Sequence, residues 1–194
     1  GRGLEKFPVH GPALVVFNHL GDADMVVVLS QLRTLEIDPL AASNLYDIPA
    51  LRLAAQMYGV IWIHRGHPDR RALNCALESL RRGRFVSIAP EGRESVVGGL
   101  EQGLDGAAFL ALRAEVPIVP IAITGTENPR IYRGLVCWPR QPVSLTIGQP
   151  FHIAKSEDRR SDLKNGTTQI MHSLARLLPP EYQGVYKQTE SVQE

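Results

Sequence analysis

Four short segments carry side chains that can do chemistry. In Asn18-His19-Leu20-Gly21-Asp22-Ala23-Asp24, a histidine precedes an aspartate by five positions, just after an apolar run. Imidazole is the side chain best suited to take a proton at neutral pH. It works best when a carboxylate on its other ring nitrogen fixes the tautomer and steadies the imidazolium. With such a pair, a hydroxyl on the substrate can be the nucleophile, and no enzyme serine is required. Asp22 competes with Asp24 for the partner role, although its place suits a helix N-cap. The plainer reading makes Asn18 and His19 strand-end residues and Asp22 a cap.

The second segment, Gly59 to Arg65, ends an apolar run on a cation. Arg65 can grip a phosphate bidentately, and His67, Arg70 and Arg71 follow closely. Alternatively they form the solvated basic start of a helix; the neighbouring His64 is assigned no role. In the third, Pro90-Glu91-Gly92-Arg93, Gly92 permits close backbone approach and exposed amides can receive an oxyanion or phosphate. The alternative is a weak surface ion pair between Glu91 and Arg93. The fourth, Val116-Pro117-Ile118-Val119-Pro120-Ile121, reads as core. Its prolines remove ladder donors, which suits an edge strand or a bulge.

The pattern around these segments supplies the frame. Strands are expected at 13–17, 39–43, 60–63, 84–89, 117–124 and 143–147. Helical spacing marks 22–32, 47–58, 69–82, 104–115 and 161–178, the last clearest from Thr168 onward, with Gly-rich or Pro-rich loops at 90–103 and 125–141. The run Ala13-Leu14-Val15-Val16-Phe17 is continuously apolar, as a strand covered on both faces is. Strand–helix alternation predicts an α/β layered fold, a mainly parallel β-sheet flanked by helices. In such folds sites lie beyond the carboxyl ends of strands, where three of the four segments fall.

The chain has 194 residues, 44% hydrophobic and 21% charged, with a net charge of +1. That suits a single domain over residues 1–183 with a frayed tail at 184–194, and excludes a disordered scaffold. The charge balance argues against a nucleic-acid partner. Two cysteines, Cys75 and Cys137, make neither a disulfide framework nor a metal-ligand spacing, so a cytosolic or cytosol-facing location is the expectation. No apolar run is long enough to cross a bilayer. Met25, Met57 and Met171 read as core filler, and Trp62 as core; Trp138 is either a lipid anchor or a loop contact.

Taken in order, the four segments resemble the blocks of the glycerolipid acyltransferase family, whose bacterial type member makes phosphatidic acid from lysophosphatidic acid. Asn18-His19 to Asp24 matches its Asn-His-x-x-x-x-Asp block, and Gly59 to Arg65 its Gly-x-x-aromatic-x-x-Arg block. Pro90-Glu91-Gly92 matches the first half of Pro-Glu-Gly-Thr-Arg-Ser, and Val116 to Pro120 matches Val-Pro-hydrophobic-hydrophobic-Pro. The resemblance spans roughly residues 1–155. Two departures fall in the third block. Arg93 stands one place early with Glu94 in the usual arginine position, and Leu100-Glu101-Gln102 replaces a stretch where relatives often carry lysine.

The resemblance implies transfer of a fatty acyl group from acyl-CoA or acyl-carrier protein to the hydroxyl of a lysophospholipid. It casts His19 as base and Asp24 as its orienter, with no covalent intermediate, cofactor or metal. Arg65 and Arg93 would hold the acceptor phosphate, Glu91 and Gly92 would shape its site, and the stretch ending at Pro120 would support the acyl chain. It also implies peripheral contact with the inner face of the membrane, and an N-terminal helical or membrane segment that this stretch of sequence does not contain. Two other readings remain at this point: a metal-dependent hydrolase ligated by His19, Asp22 and Asp24, and a non-catalytic lipid-binding member.

Overall fold

A computed structural model of the chain describes residues 1–32, 36–42, 59–64, 69–136 and 142–187. The expected helix at 47–58, Arg65, His67, Cys137, Trp138 and the chain beyond Lys187 lie outside the described residues.

Six strands form one sheet: β1 (Ala13–Phe17), β2 (Ile37–Ala42), β3 (Ile61–Ile63), β4 (Phe85–Ile88), β5 (Ile118–Thr124) and β6 (Ser144–Ile147). Their order is β3-β2-β4-β1-β5-β6. All neighbours pair in parallel except β5 and β6, which run antiparallel. The mainly parallel α/β sheet expected from the sequence is therefore the architecture. The helices are α1 (Asp24–Gln31), α2 (Arg70–Arg81), α3 (Gly106–Ala114), α4 (Asn128–Val136) and α5 (Arg159–Ala175).

Every residue of β1 is buried, because the strand is central and covered on both sides. Its alternate side chains feed two cores. Leu14 and Val16 join Val86, Ile118 and Ala122 beneath α2, α3 and α5. Ala13, Val15 and Phe17 join Phe85, Val119, Ile121 and Ile123 on the opposite face, where Val28 and Leu32 of the α1 segment pack. Each such side chain contributes about 1.5–3 kcal/mol by leaving water. The position of β1 is thus fixed by apolar burial, and that positions whatever follows Phe17.

Some expectations hold and others need correction. The prolines of β5 suggested an edge or a bulge, and the ladder does slip beside Pro120: it lies opposite Val16 on one side, while on the other Ile121 pairs with Ile147 but Ile118 with Phe151, one residue out of step. The Leu14 amide donates to Pro117 O, whereas the Ile118 amide donates to Phe151 O on the other side. By alternation, the nitrogen of Pro120 faces away from β1, towards the side where Gly148 follows the end of β6. There the Gly148 amide donates to Pro120 O and nothing requires a donor in return. Asp22 is not the cap of α1: Ala23 holds that position. The stretch 125–141, read as loop, contains α4, whose second residue is Pro129, a good first-turn residue. The chain at Gly184–Tyr186, expected to fray, forms a 3₁₀ turn held by the Val185 amide donating to Leu100 O and the Tyr186 hydroxyl accepting from the Gly103 amide.

Candidate active site

The carboxyl ends of β4, β1 and β5 lie side by side, and three segments leaving them build the site. The segment after β1 is anchored first. Asn18 is buried; its Nδ2 donates to Ile123 O at 2.9 Å and its Oδ1 accepts the Ile123 amide at 2.7 Å. The side-chain amide so extends the β1–β5 ladder by one rung after the β1 backbone turns away.

His19 is next. Its Nδ1 lies 2.8 Å from Asp24 Oδ2, with the imidazole side chain 21% exposed and the carboxylate fully buried. The same Oδ2 accepts the amides of Leu20 at 2.6 Å and Gly21 at 2.9 Å. Asp24 therefore closes the turn that carries its own histidine. An acceptor-only carboxylate requires the proton on Nδ1, so Nε2 carries the lone pair. The close packing at Gly21 is obligatory: a Cβ there would lie 2.4 Å from Thr126 O.

Glu91 holds the second segment against the first. Its carboxyl group is buried, with Oε1 accepting the His19 amide at 3.0 Å and Oε2 the Glu101 amide at 2.7 Å. Burial pushes this carboxyl above the ordinary range, and the two amide donors oppose that shift. Gly92 has φ 71°, and a Cβ there would meet Leu104 Cδ1 at 2.6 Å. The loop then returns to the histidine, where the Ser95 amide donates to His19 O at 2.8 Å. At its tip Val96 and Val97 are 75% and 69% exposed, an apolar lip one residue from that anchor.

Arg93 does not pair with Glu91. Its guanidinium pairs with Glu101, which also accepts the Val96 amide. Those donors hold the Glu101 carboxyl below its usual range. The third segment brings Asn128, whose Oδ1 accepts the Asp22 amide at 2.9 Å while its Nδ2 donates to Glu94 Oε1 at 2.9 Å. The Tyr132 hydroxyl donates to Asp22 Oδ2 at 2.8 Å. Asp22 thus faces α4, not the histidine. Sequence reading did not single out Ser95, Asn128 or Tyr132; the Asn-Pro step after β5 was the available signal.

The structure thus gathers His19, Asp24, Glu91 and Gly92 at one place and sets Arg93 in an ion pair beside it. It leaves Pro120 in mid-strand. The metal-ligand reading finds no support in geometry: among the described residues no three His, Cys, Asp or Glu side chains converge to hold an ion. Among those residues, too, no helix is long and apolar enough to cross a membrane.

Comparison with known proteins relates the chain to a family. The family model described as Acyltransferase matches residues 2–124. The chloroplastic 1-acyl-sn-glycerol-3-phosphate acyltransferase LPAT1 of Arabidopsis thaliana is 30% identical over 162 residues, 80% of this chain and 44% of that protein. The chloroplastic enzyme BAT2 of Brassica napus, with the same activity in its name, is 31% identical over 177 residues, 88% of this chain and 50% of its own length. The chain therefore spans about half the length of these relatives. The crystal structure of the 1-acyl-sn-glycerophosphate acyltransferase PlsC from Thermotoga maritima superposes with a TM-score of 0.68 at 22% identity, covering 91% of this chain and 70% of that one, which shows a shared fold. By the extent of the family match and the identity to these relatives, this chain belongs to the acyltransferase family.

Proposed function

We propose that this chain transfers a fatty acyl group from a thioester, acyl-CoA or acyl-carrier protein, to the hydroxyl of a lysophospholipid such as 1-acylglycerol-3-phosphate. The observation that carries the reading is the buried Asp24 carboxylate on Nδ1 of a part-exposed His19. Nε2 takes the proton of the acceptor hydroxyl as its oxygen attacks the thioester carbonyl. The tetrahedral adduct collapses, the carbon–sulfur bond breaks, and the thiolate leaves with the proton from the imidazolium. Products are an ester and a free thiol. General-base catalysis of this type is worth about 10²–10⁴-fold, and holding two substrates together contributes more.

In this reading Glu91 acts through main-chain positions, since both its oxygens take backbone amides. With Gly92 it shapes the acceptor wall. Arg65 holds the acceptor phosphate, and Arg93 contributes only by leaving Glu101. The stretch ending at Pro120 supports the acyl chain through the fold. Val96 and Val97 favour peripheral contact with the inner leaflet at the mouth of the site. The test is a panel of lysolipid acceptors incubated with a long-chain acyl-CoA or acyl-carrier protein and read by mass spectrometry. Esterified product and free thiol in equal amounts are expected. Lysolipid binding with no thioester turnover by the full-length protein would establish a non-catalytic member instead.

A further inference from the structure

Two buried side-chain oxygens lack a hydrogen-bond partner among the described residues: Asp24 Oδ1 and Thr126 Oγ1. Both residues are wholly buried. They are chemically complementary, one a carboxylate oxygen short of a donor and the other a hydroxyl with a proton to give. Buried polar groups are satisfied as a rule, so an unmatched acceptor and an unmatched donor in one neighbourhood call for a common explanation.

The fold puts them in that neighbourhood. Asn18 bridges to Ile123 through both its amide atoms, so the chain after β5 runs beside the turn after β1. A Cβ on Gly21 would lie 2.4 Å from Thr126 O. The Gly21 amide donates to Asp24 Oδ2, and Gly21 O accepts the Asp24 amide at 3.1 Å. Thr126 is therefore packed on the turn that encloses the Asp24 carboxylate. Oδ2 takes three donors, whereas Oδ1, the other half of the same plane, takes none from the described residues.

We propose that Thr126 is a positioning residue for the His19–Asp24 pair: its hydroxyl serves Asp24 Oδ1, directly on rotation or through one buried water. A donor there fixes the carboxylate plane that aims His19, and shares the anion's charge when the imidazole becomes a cation. This rests on the reading of His19 as the base.

The experiment compares Thr126→Val, which keeps the shape and removes the hydroxyl, with Thr126→Ser, which keeps the hydroxyl. With 1-acylglycerol-3-phosphate and a long-chain acyl-CoA, Thr126→Val is expected to lower kcat about tenfold with both KM values within about twofold. Thr126→Ser is expected to recover most of that loss. The Nδ1 proton resonance of His19, assigned by its absence in His19→Gln, is expected to move in the valine variant and return in the serine variant. A valine variant with unchanged kcat and resonance overturns the proposal, as does a serine variant as impaired as the valine one. If Thr126→Val does not fold, Thr126→Ala against Thr126→Ser carries the same two readouts. Full turnover by His19→Gln would defeat the general-base reading, while the resonance comparison would still decide whether Thr126 supports the pair.

Discussion

Among the described residues, two histidine–aspartate pairs are built on the same plan. His19 and Asp24, and His64 and Asp69, are each five residues apart, each between a strand and a helix, each joined Nδ1 to Oδ2, at 2.8 Å and 3.2 Å. In both, the aspartate also accepts main-chain amides: Leu20 and Gly21 in one case, His64 and Ala72 in the other. Their surroundings differ. The His19 side chain is 21% exposed over a fully buried carboxylate; His64 is 78% exposed and Asp69 13%. Asp69 is the N-cap of α2, and water competes for its histidine. Asp24 is wholly buried in the turn of Leu20 and Gly21, on which Thr126 packs, so its charge is surrounded by protein. The spacing of five is common to both; in the proposed reaction it is the buried carboxylate that suits only His19 to act as base.

The contrast breaks first at the carboxylates. Asp24→Asn is expected to lower kcat by about 10³–10⁴-fold, because an amide can present its NH₂ to Nδ1 and enforce the wrong tautomer. Asp69→Asn is expected to leave kcat within about twofold and lower the melting temperature, because the N-terminus of α2 loses its negative charge and an NH₂ replaces one of the two oxygens that accept the His64 and Ala72 amides. Steady-state acyl transfer and thermal unfolding of both variants check this. Equal kinetic losses would show that the environment is not what separates the pairs.

The next effect lies in the clamp. Glu91→Ala removes the acceptor shared by the His19 and Glu101 amides and leaves both donors unpaired where they remain buried. It is expected to destabilise the fold by about 1–3 kcal/mol in denaturant titration and to lower kcat with it. Stability equal to the unsubstituted protein would remove Glu91 as the link between the two loops.

The smallest effects are pH dependences, and they have opposite signs. The Ala72 amide foremost, with the His64 contacts, draws the Asp69 carboxyl down to about 2 from 3.8. Its contribution is present above about pH 4 and lost as the pH falls towards 2. The melting-temperature gap between the unsubstituted protein and Asp69→Ala is expected to close over that window. Burial raises the Glu91 carboxyl above 4.5, so its protonated form is favoured in the fold. Stability from that proton uptake is present at lower pH and lost as the pH rises through the raised value. The advantage of the unsubstituted protein over Glu91→Gln is expected to shrink as the pH is raised above 4.5. A gap that widens there would contradict the assignment of burial as the dominant cause.

Much of this was legible in the sequence because local signals and tertiary placement agreed. The continuous apolar run at 13–17 announced a two-faced central strand, and the residues after it had to fall at its carboxyl end. The amphipathic spacing of α2 and the Asp69–Gly83 brackets fixed that helix almost to the residue. What failed needed partners distant in sequence. Asp22 looked like a cap until Tyr132, 110 residues away, proved to hold its carboxylate. Arg93 read as a phosphate grip or as the partner of Glu91, whereas its guanidinium pairs with Glu101 on the return of the same loop. Pro120 read as an edge or bulge residue; the bulge is there, but the partner segment that forms it, with the Gly148 amide on Pro120 O, is not visible in β5 itself. Helix α4 was masked by Gly134, two arginines and a proline whose first-turn place went unweighed.

The most direct test is a side-by-side measurement of kcat/KM for His19→Gln and His64→Gln, with 1-acylglycerol-3-phosphate as acceptor and a long-chain acyl-CoA as donor. The account predicts a fall of about 10²–10⁴-fold for His19→Gln with the circular dichroism spectrum unchanged, and a value within about twofold of the unsubstituted protein for His64→Gln. Full turnover by a folded His19→Gln would contradict it.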